Sequence, residues 1–69
     1  MIALKDLTIG TELVVSNYGI LRVVEIGENY IIATNTIRTF VKTFTPENSS
    51  LFYIEDGEIY LDCGVVTDV

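Results

Sequence analysis

The chain has no histidine, no tryptophan, one cysteine, one proline and one methionine among its 69 residues. Without histidine the commonest general base is missing, and Cys63 has no neighbouring activator in sequence, so an enzymatic role is not expected. A single cysteine makes no intramolecular disulfide, and with no imidazole beside it Cys63 reads as a small apolar residue. Glycine-rich phosphate loops are missing as well. Glu55, Asp56 and Glu58 do not meet the calcium-loop spacing of an EF-hand, so neither a metal nor any other cofactor is expected. No segment approaches the length of an apolar membrane span, and Met1-Ile-Ala-Leu-Lys-Asp carries neither a basic leader nor an apolar run suited to secretion. A cytoplasmic location is the expectation.

Basic residues are missing from the whole second part of the chain. Residues 1–42 balance Asp6, Glu12, Glu25 and Glu28 against Lys5, Arg22, Arg38 and Lys42, whereas residues 43–69 carry six acids and no base. The formal net charge of −6 therefore belongs entirely to the last 27 residues. A field of one sign repels phosphate and attracts cations, which points away from direct nucleic-acid binding and towards a basic protein.

What is present in quantity is apolar material, at 49% of the residues. A chain this short forms one domain, residues 1–69, and a domain near 60 residues buries only about 60% of its unfolded surface. So much apolar material in so small a globule predicts a homodimer or an adhesive binding face.

Strand-forming residues dominate the runs 12–16, 20–26, 30–34, 37–44, 51–55 and 58–62, with turn formers between them. Asn17-Tyr18-Gly19 and Gly27-Glu28-Asn29 can close the first two hairpins. Thr45-Pro46-Glu47 has the order of a helix start but runs into Asn48-Ser49-Ser50, which allows at most a short 3-10 turn. Leu4 and Leu7 are expected to plug an open end of the sheet. The fold class is all-β: a small SH3-like barrel or a strongly bent antiparallel sheet of five to six strands, with little or no helix.

The last hairpin can be read residue by residue. Asp56-Gly57 is the signature of a two-residue type I′ turn, whose central residues both need positive φ. That loop sets Glu55 against Glu58, Ile54 against Ile59, Tyr53 against Tyr60, Phe52 against Leu61 and Leu51 against Asp62. Opposed residues share a face, so Phe52, Ile54, Ile59 and Leu61 form an apolar side. Tyr53 and Tyr60, fenced by Glu55, Glu58 and Asp62, form the other. Alternate strand residues lie about 6.6 Å apart, so Glu58 and Asp62 would be about 13 Å apart, a spacing at which carboxylates can stand in for backbone phosphates. Tyrosines between them add contact area of the kind found at interface hot spots. A rival pattern lies in Arg38-Thr39-Phe40-Val41-Lys42-Thr43-Phe44, where two bases and two phenylalanines alternate onto one face. Such a face could stack single-stranded nucleic acid or supply core and dimer contacts.

The segments Ile9-Gly10-Thr11-Glu12-Leu13-Val14-Val15, Tyr18 to Ile26 and Tyr30 to Thr34 resemble the opening three strands of SH3-like and Tudor-type small barrels. The aromatic cage those barrels use for methylated ligands has no counterpart here, so the resemblance implies a fold and no binding site. In size, acidity and lack of catalytic chemistry, the chain is similar to the small early proteins by which bacteriophages disable host factors, among them DNA-mimicking inhibitors of the nucleoid protein HU. That similarity implies a DNA mimic acting in the host cytoplasm, an inhibitor that occupies the DNA-binding surface of a basic protein. Glu55, Asp56, Glu58 and Asp62 would supply charge, Glu47 and Asp68 would extend the field, and Tyr53 and Tyr60 would supply contact area. The alternatives are a self-associating assembly module with an SH3-like fold and a binder of single-stranded nucleic acid through Arg38, Phe40, Lys42 and Phe44.

Overall fold

β-branched and aromatic residues alternating with polar ones give an all-β chain. The computed structural model describes residues 1–66, which leaves Asp68 outside the described residues. In chain order the strands are β1 (Ile2–Ala3), β2 (Glu12–Val15), β3 (Gly19–Ile26), β4 (Ile31–Thr34), β5 (Val41–Phe44), β6 (Phe52–Glu55), β7 (Glu58–Leu61) and β8 (Gly64–Val65). They make two antiparallel sheets rather than one, of order β5-β4-β3-β2-β8 and β1-β7-β6. Each of the six principal strands overlaps one of the six expected runs, five of them to within one residue at either end. The two extra strands have two residues each, too short for any alternation to register, and exist because β7 and β2 supply ladders for them.

One hydrophobic cluster joins the two sheets. Leu13, Leu21, Val23, Ile31 and Phe44 come from the larger sheet and Leu61 from the smaller, each essentially shut off from water. Leu4 and Leu7 are buried in the same cluster as expected. Leu4 opens and Leu7 follows the only 3-10 turn among the described residues, Leu4–Asp6. The segment 45–48, where at most a short 3-10 turn was expected, forms a plain reverse turn. Thr45 N–H donates to Asn48 Oδ1 at 2.9 Å, and Asn48 N–H donates back to Thr45 Oγ1 at 3.2 Å. These reciprocal side-chain bonds satisfy the backbone locally, so no helical ladder is needed.

The run expected over 37–44 begins four residues late. Asn35 Oδ1 accepts the N–H groups of Thr39 at 2.9 Å and Phe40 at 3.2 Å. With those donors committed to a side chain, the segment turns, and Arg38 takes a left-handed φ of 58°. The last hairpin keeps its expected register at all four pairs of the ladder, from Glu55↔Glu58 to Phe52↔Leu61. Its turn has the positive φ values foreseen, 52° at Asp56 and 80° at Gly57. Its apolar side differs in one respect: Phe52, Ile59 and Leu61 pack on the core, but Ile54 is 59% exposed. Ile54 lies on β6, the edge strand of the small sheet, whereas Ile59 opposite it lies on the inner strand β7 and packs on the core. Leu51, whose parity assigns it to the outer side, is buried, because it precedes the strand and sits in a turn.

Candidate functional site: an acidic aromatic hairpin and the groove beside it

The outer face of β6 and β7 is positioned entirely by the Asp56-Gly57 turn. Tyr53 and Tyr60 stand directly opposite each other, with ring centroids 6.3 Å apart and planes tilted by 43°. Within β6, the Tyr53 hydroxyl donates to Glu55 Oε1 at 2.7 Å, across the i to i+2 spacing that puts both side chains on one face. That bond holds the Tyr53 phenol above its ordinary pKa, because ionising it would set two anions against each other. Glu55 and Asp56 make no ion pair within the described residues.

Glu58 does have a partner, and it comes from the opposite end of the chain. β1 pairs with β7 so that Ile2 faces Leu61 and Ala3 faces Tyr60. The Leu4–Asp6 turn that follows β1 then brings Lys5 beside Glu58, and Lys5 Nζ donates to Glu58 Oε1 at 3.0 Å. The hydrogen bond to Glu58, reinforced by its charge, raises the Lys5 ammonium above its ordinary value. Both side chains remain open to solvent, so the contact holds geometry more than it adds stability.

The remaining expected site residues divide. Glu58 and Tyr60 are half-buried, while Glu55, Asp56 and Asp62 are exposed. Asp62 directly follows β7, and its N–H donates to the Leu51 carbonyl at 2.7 Å, which ties the base of the hairpin together. Glu47 lies in the turn after β5, outside the ladder of the acidic hairpin.

The same end of the molecule holds a groove of about 440 Å3 that no local sequence pattern signals. Leu4, Leu7, Ile26 and Ile59 contribute its apolar part, and Lys5, Glu28 and Glu58 its charged part. Glu28 belongs to the β3–β4 loop, about thirty residues from Glu58 in sequence, and shares a wall with it only through the tertiary fold. That loop is tightly made. Gly27 N–H donates to the Tyr30 carbonyl at 2.8 Å, and the Tyr30 ring lies so close over Gly27 that no side chain would fit there. Tyr30 in turn donates its hydroxyl to Glu25 Oε2 at 2.7 Å.

The rival pattern on β5 is occupied by packing. Phe44 is buried, and Tyr18 sits between the two phenylalanines, 5.3 Å edge-on to Phe44 and 5.4 Å from Phe40. Lys42 Nζ lies 5.6 Å from the Phe44 ring centroid, and Arg38 sits in the preceding turn. A ring that is buried in the core offers no free face for a base.

Cys63 packs against the core, half-buried, and burial pushes its thiol above the ordinary value, with Asp62 adding to the effect against the pull of the N-terminal ammonium. Among the described residues no three His, Cys, Asp or Glu side chains are grouped to hold a metal ion, and no helix is long and apolar enough to cross a membrane. No protein-family model, no curated protein and no solved structure matches the chain.

Proposed function

We propose that this protein is a non-enzymatic acidic binding module that docks a basic protein through the outer face of its β6–β7 hairpin. The carrying observation is the hairpin register: Tyr53 beside Tyr60, with Glu55 opposite Glu58 and Asp56 at the tip, on two strands that hold no basic residue. Carboxylates at strand spacing around an aromatic pair offer charge at intervals comparable to phosphates, together with amphipathic contact area. On this reading the protein is a DNA mimic, an inhibitor in the manner of the phage proteins it resembles, and an HU-like nucleoid protein is the leading partner class. An SH3-like arrangement of the first half would serve as the scaffold.

The test is binding to a purified HU-like protein with competing duplex DNA. The wild-type chain should displace the DNA at low salt and lose that ability as salt screens the contact. Glu55→Lys reverses charge at the tip while giving Glu58 an opposite-charge neighbour, so the hairpin should stay folded and binding should fall. Undiminished displacement by a folded Glu55→Lys variant would sink the mimicry.

A second reading has its own observation. Val14 and Ile20 are directly paired across β2 and β3, and both are about half exposed on the side of the large sheet away from the core. Together with Val41 on the edge strand β5, 64% exposed, they fit self-association into a homodimer or an assembly module. In that case Ile20→Lys should lower the sedimentation mass from dimer to monomer, and a monomer at all concentrations before substitution would refute the reading.

A further inference from the structure

We infer that the groove between the Leu4–Asp6 turn, the β3–β4 loop and the β6–β7 hairpin receives a lysine or arginine side chain of the basic partner, with Lys5 holding that cation's place in the free protein. The inference rests on the acidic-binding reading and names its anchor.

The chemistry of the lining selects the occupant. Leu4, Leu7, Ile26 and Ile59 present hydrocarbon, and Glu28 and Glu58 present carboxylates at the same opening. A long cationic side chain is apolar along its stem and charged only at its head, so it satisfies both parts at once. An anion would meet two carboxylates of which Lys5 answers only one, and a purely apolar group would leave Glu28 without a counter-charge. The volume of about 440 Å3 is more than one side chain fills, so a lysine or arginine can enter together with the water around its head.

The fold already supplies an example of the contact. Lys5 Nζ rests 3.0 Å from Glu58 Oε1, so an ammonium does fit at this carboxylate. The lysine side chain is 65% exposed and free to swing away. Glu28, on the facing loop, has no ion-pair partner among the described residues. The wall that carries it is preformed, because the Tyr30 ring is seated on Gly27 and tethered to Glu25. A partner's cation can therefore take over Glu58 from Lys5 or lie between Glu58 and Glu28, with little ordering left to do on binding.

The probe is octalysine, titrated into the full chain at low salt, with affinities read by calorimetry and contacts by methyl and aromatic NMR. Lys5→Gln removes the competing cation, and Lys42→Gln removes the same charge outside the groove. Because exposed ion pairs are weak, Lys5→Gln should tighten octalysine by about two- to five-fold beyond Lys42→Gln. Glu28→Gln should weaken it more than Glu12→Gln, which removes one carboxylate elsewhere, and the Ile26 and Ile59 methyl signals should move. Equal effects of the two lysine variants with unmoved methyls would overturn the groove. If Glu55→Lys then abolishes binding and the Tyr53 and Tyr60 signals shift, the acidic-face reading stands without the groove. No octalysine binding by the wild-type chain would overturn both.

Discussion

Phe44→Ala separates a core role for the β5 aromatics from a surface one, and its cost can be worked from the structure. The ring is 1% exposed, faces Ile31 across the β4–β5 ladder, and receives Tyr18 edge-on at 5.3 Å and 86°. Truncating a buried phenylalanine costs about 3–5 kcal/mol, the lost transfer energy plus the cavity left behind. Small domains hold about 0.05–0.15 kcal/mol per residue, which for this chain is roughly 3.5–10 kcal/mol in total. One substitution therefore removes between a third and all of the stability. With a urea dependence of about 1 kcal/mol per molar, near the low end for small proteins, the unfolding midpoint should fall by about 3 M or disappear. Urea melts followed by far-UV circular dichroism are the assay, with Phe44→Leu as a milder replacement that keeps the site apolar. A Phe44→Ala midpoint within 0.5 M of wild type, a bound set by roughly 0.5 kcal/mol at that slope, would mean that the ring is not part of the core. A surface role in stacking or dimer contact would then be open again.

Three further outcomes follow from local geometry. Gly57→Ala puts a Cβ on a residue with φ of 80° and should cost about 1–2 kcal/mol in the same melts, whereas Asn at that position should cost less. Cys63 is half-buried with its thiol raised mainly by burial, so Ellman's reagent at mildly alkaline pH should label it more slowly in the native chain than in urea; equal rates would contradict the burial. The Tyr53 phenol is raised by its hydrogen bond to Glu55, so this contribution to stability is complete below the ordinary phenol value of about 10 and is lost as the pH climbs through the higher folded value. Absorbance titration at alkaline pH should find this ionisation earlier in Glu55→Gln, and an unchanged curve would show that the bond does not form in solution.

Local sequence carried the parts of the structure that local forces determine. Asp56-Gly57 fixes both φ signs and the loop length, so every rung from Glu55↔Glu58 to Phe52↔Leu61 could be written down in advance. Parity failed at the margins of the small sheet: Leu51 is buried before the strand begins, and Ile54 is exposed on the edge strand β6. Asn35 illustrates another limit, since one side-chain oxygen capturing two backbone donors turned a strand-like run into a loop. The groove was invisible for a simpler reason. Lys5 and Glu58 are 53 positions apart, and only the β1–β7 register brings them together, through a strand of two residues.

The tip of the last hairpin also breaks more local rules than any stretch of its length nearby. Glu55 and Glu58 are like charges directly opposed, an arrangement that weakens a ladder, and Ile54 on the other face exposes an apolar side chain to water. Two-stranded ribbons gain little stability of their own, so an edge strand carrying such residues lowers the stability of the free domain. Val14 and Ile20 also expose apolar surface, but they sit mid-sheet on a well-packed support and oppose no like charge. Where local choices conflict with folding, the compensation is expected outside the free fold, in an occupant that supplies what the site lacks. At the tip that occupant must bring apolar surface for Ile54 on one face and, around the edge strand β6, positive charge for Glu55 on the other, Glu58 having Lys5 already. A second copy of this chain, itself carrying −6, brings the first more readily than the second, whereas a basic protein brings both.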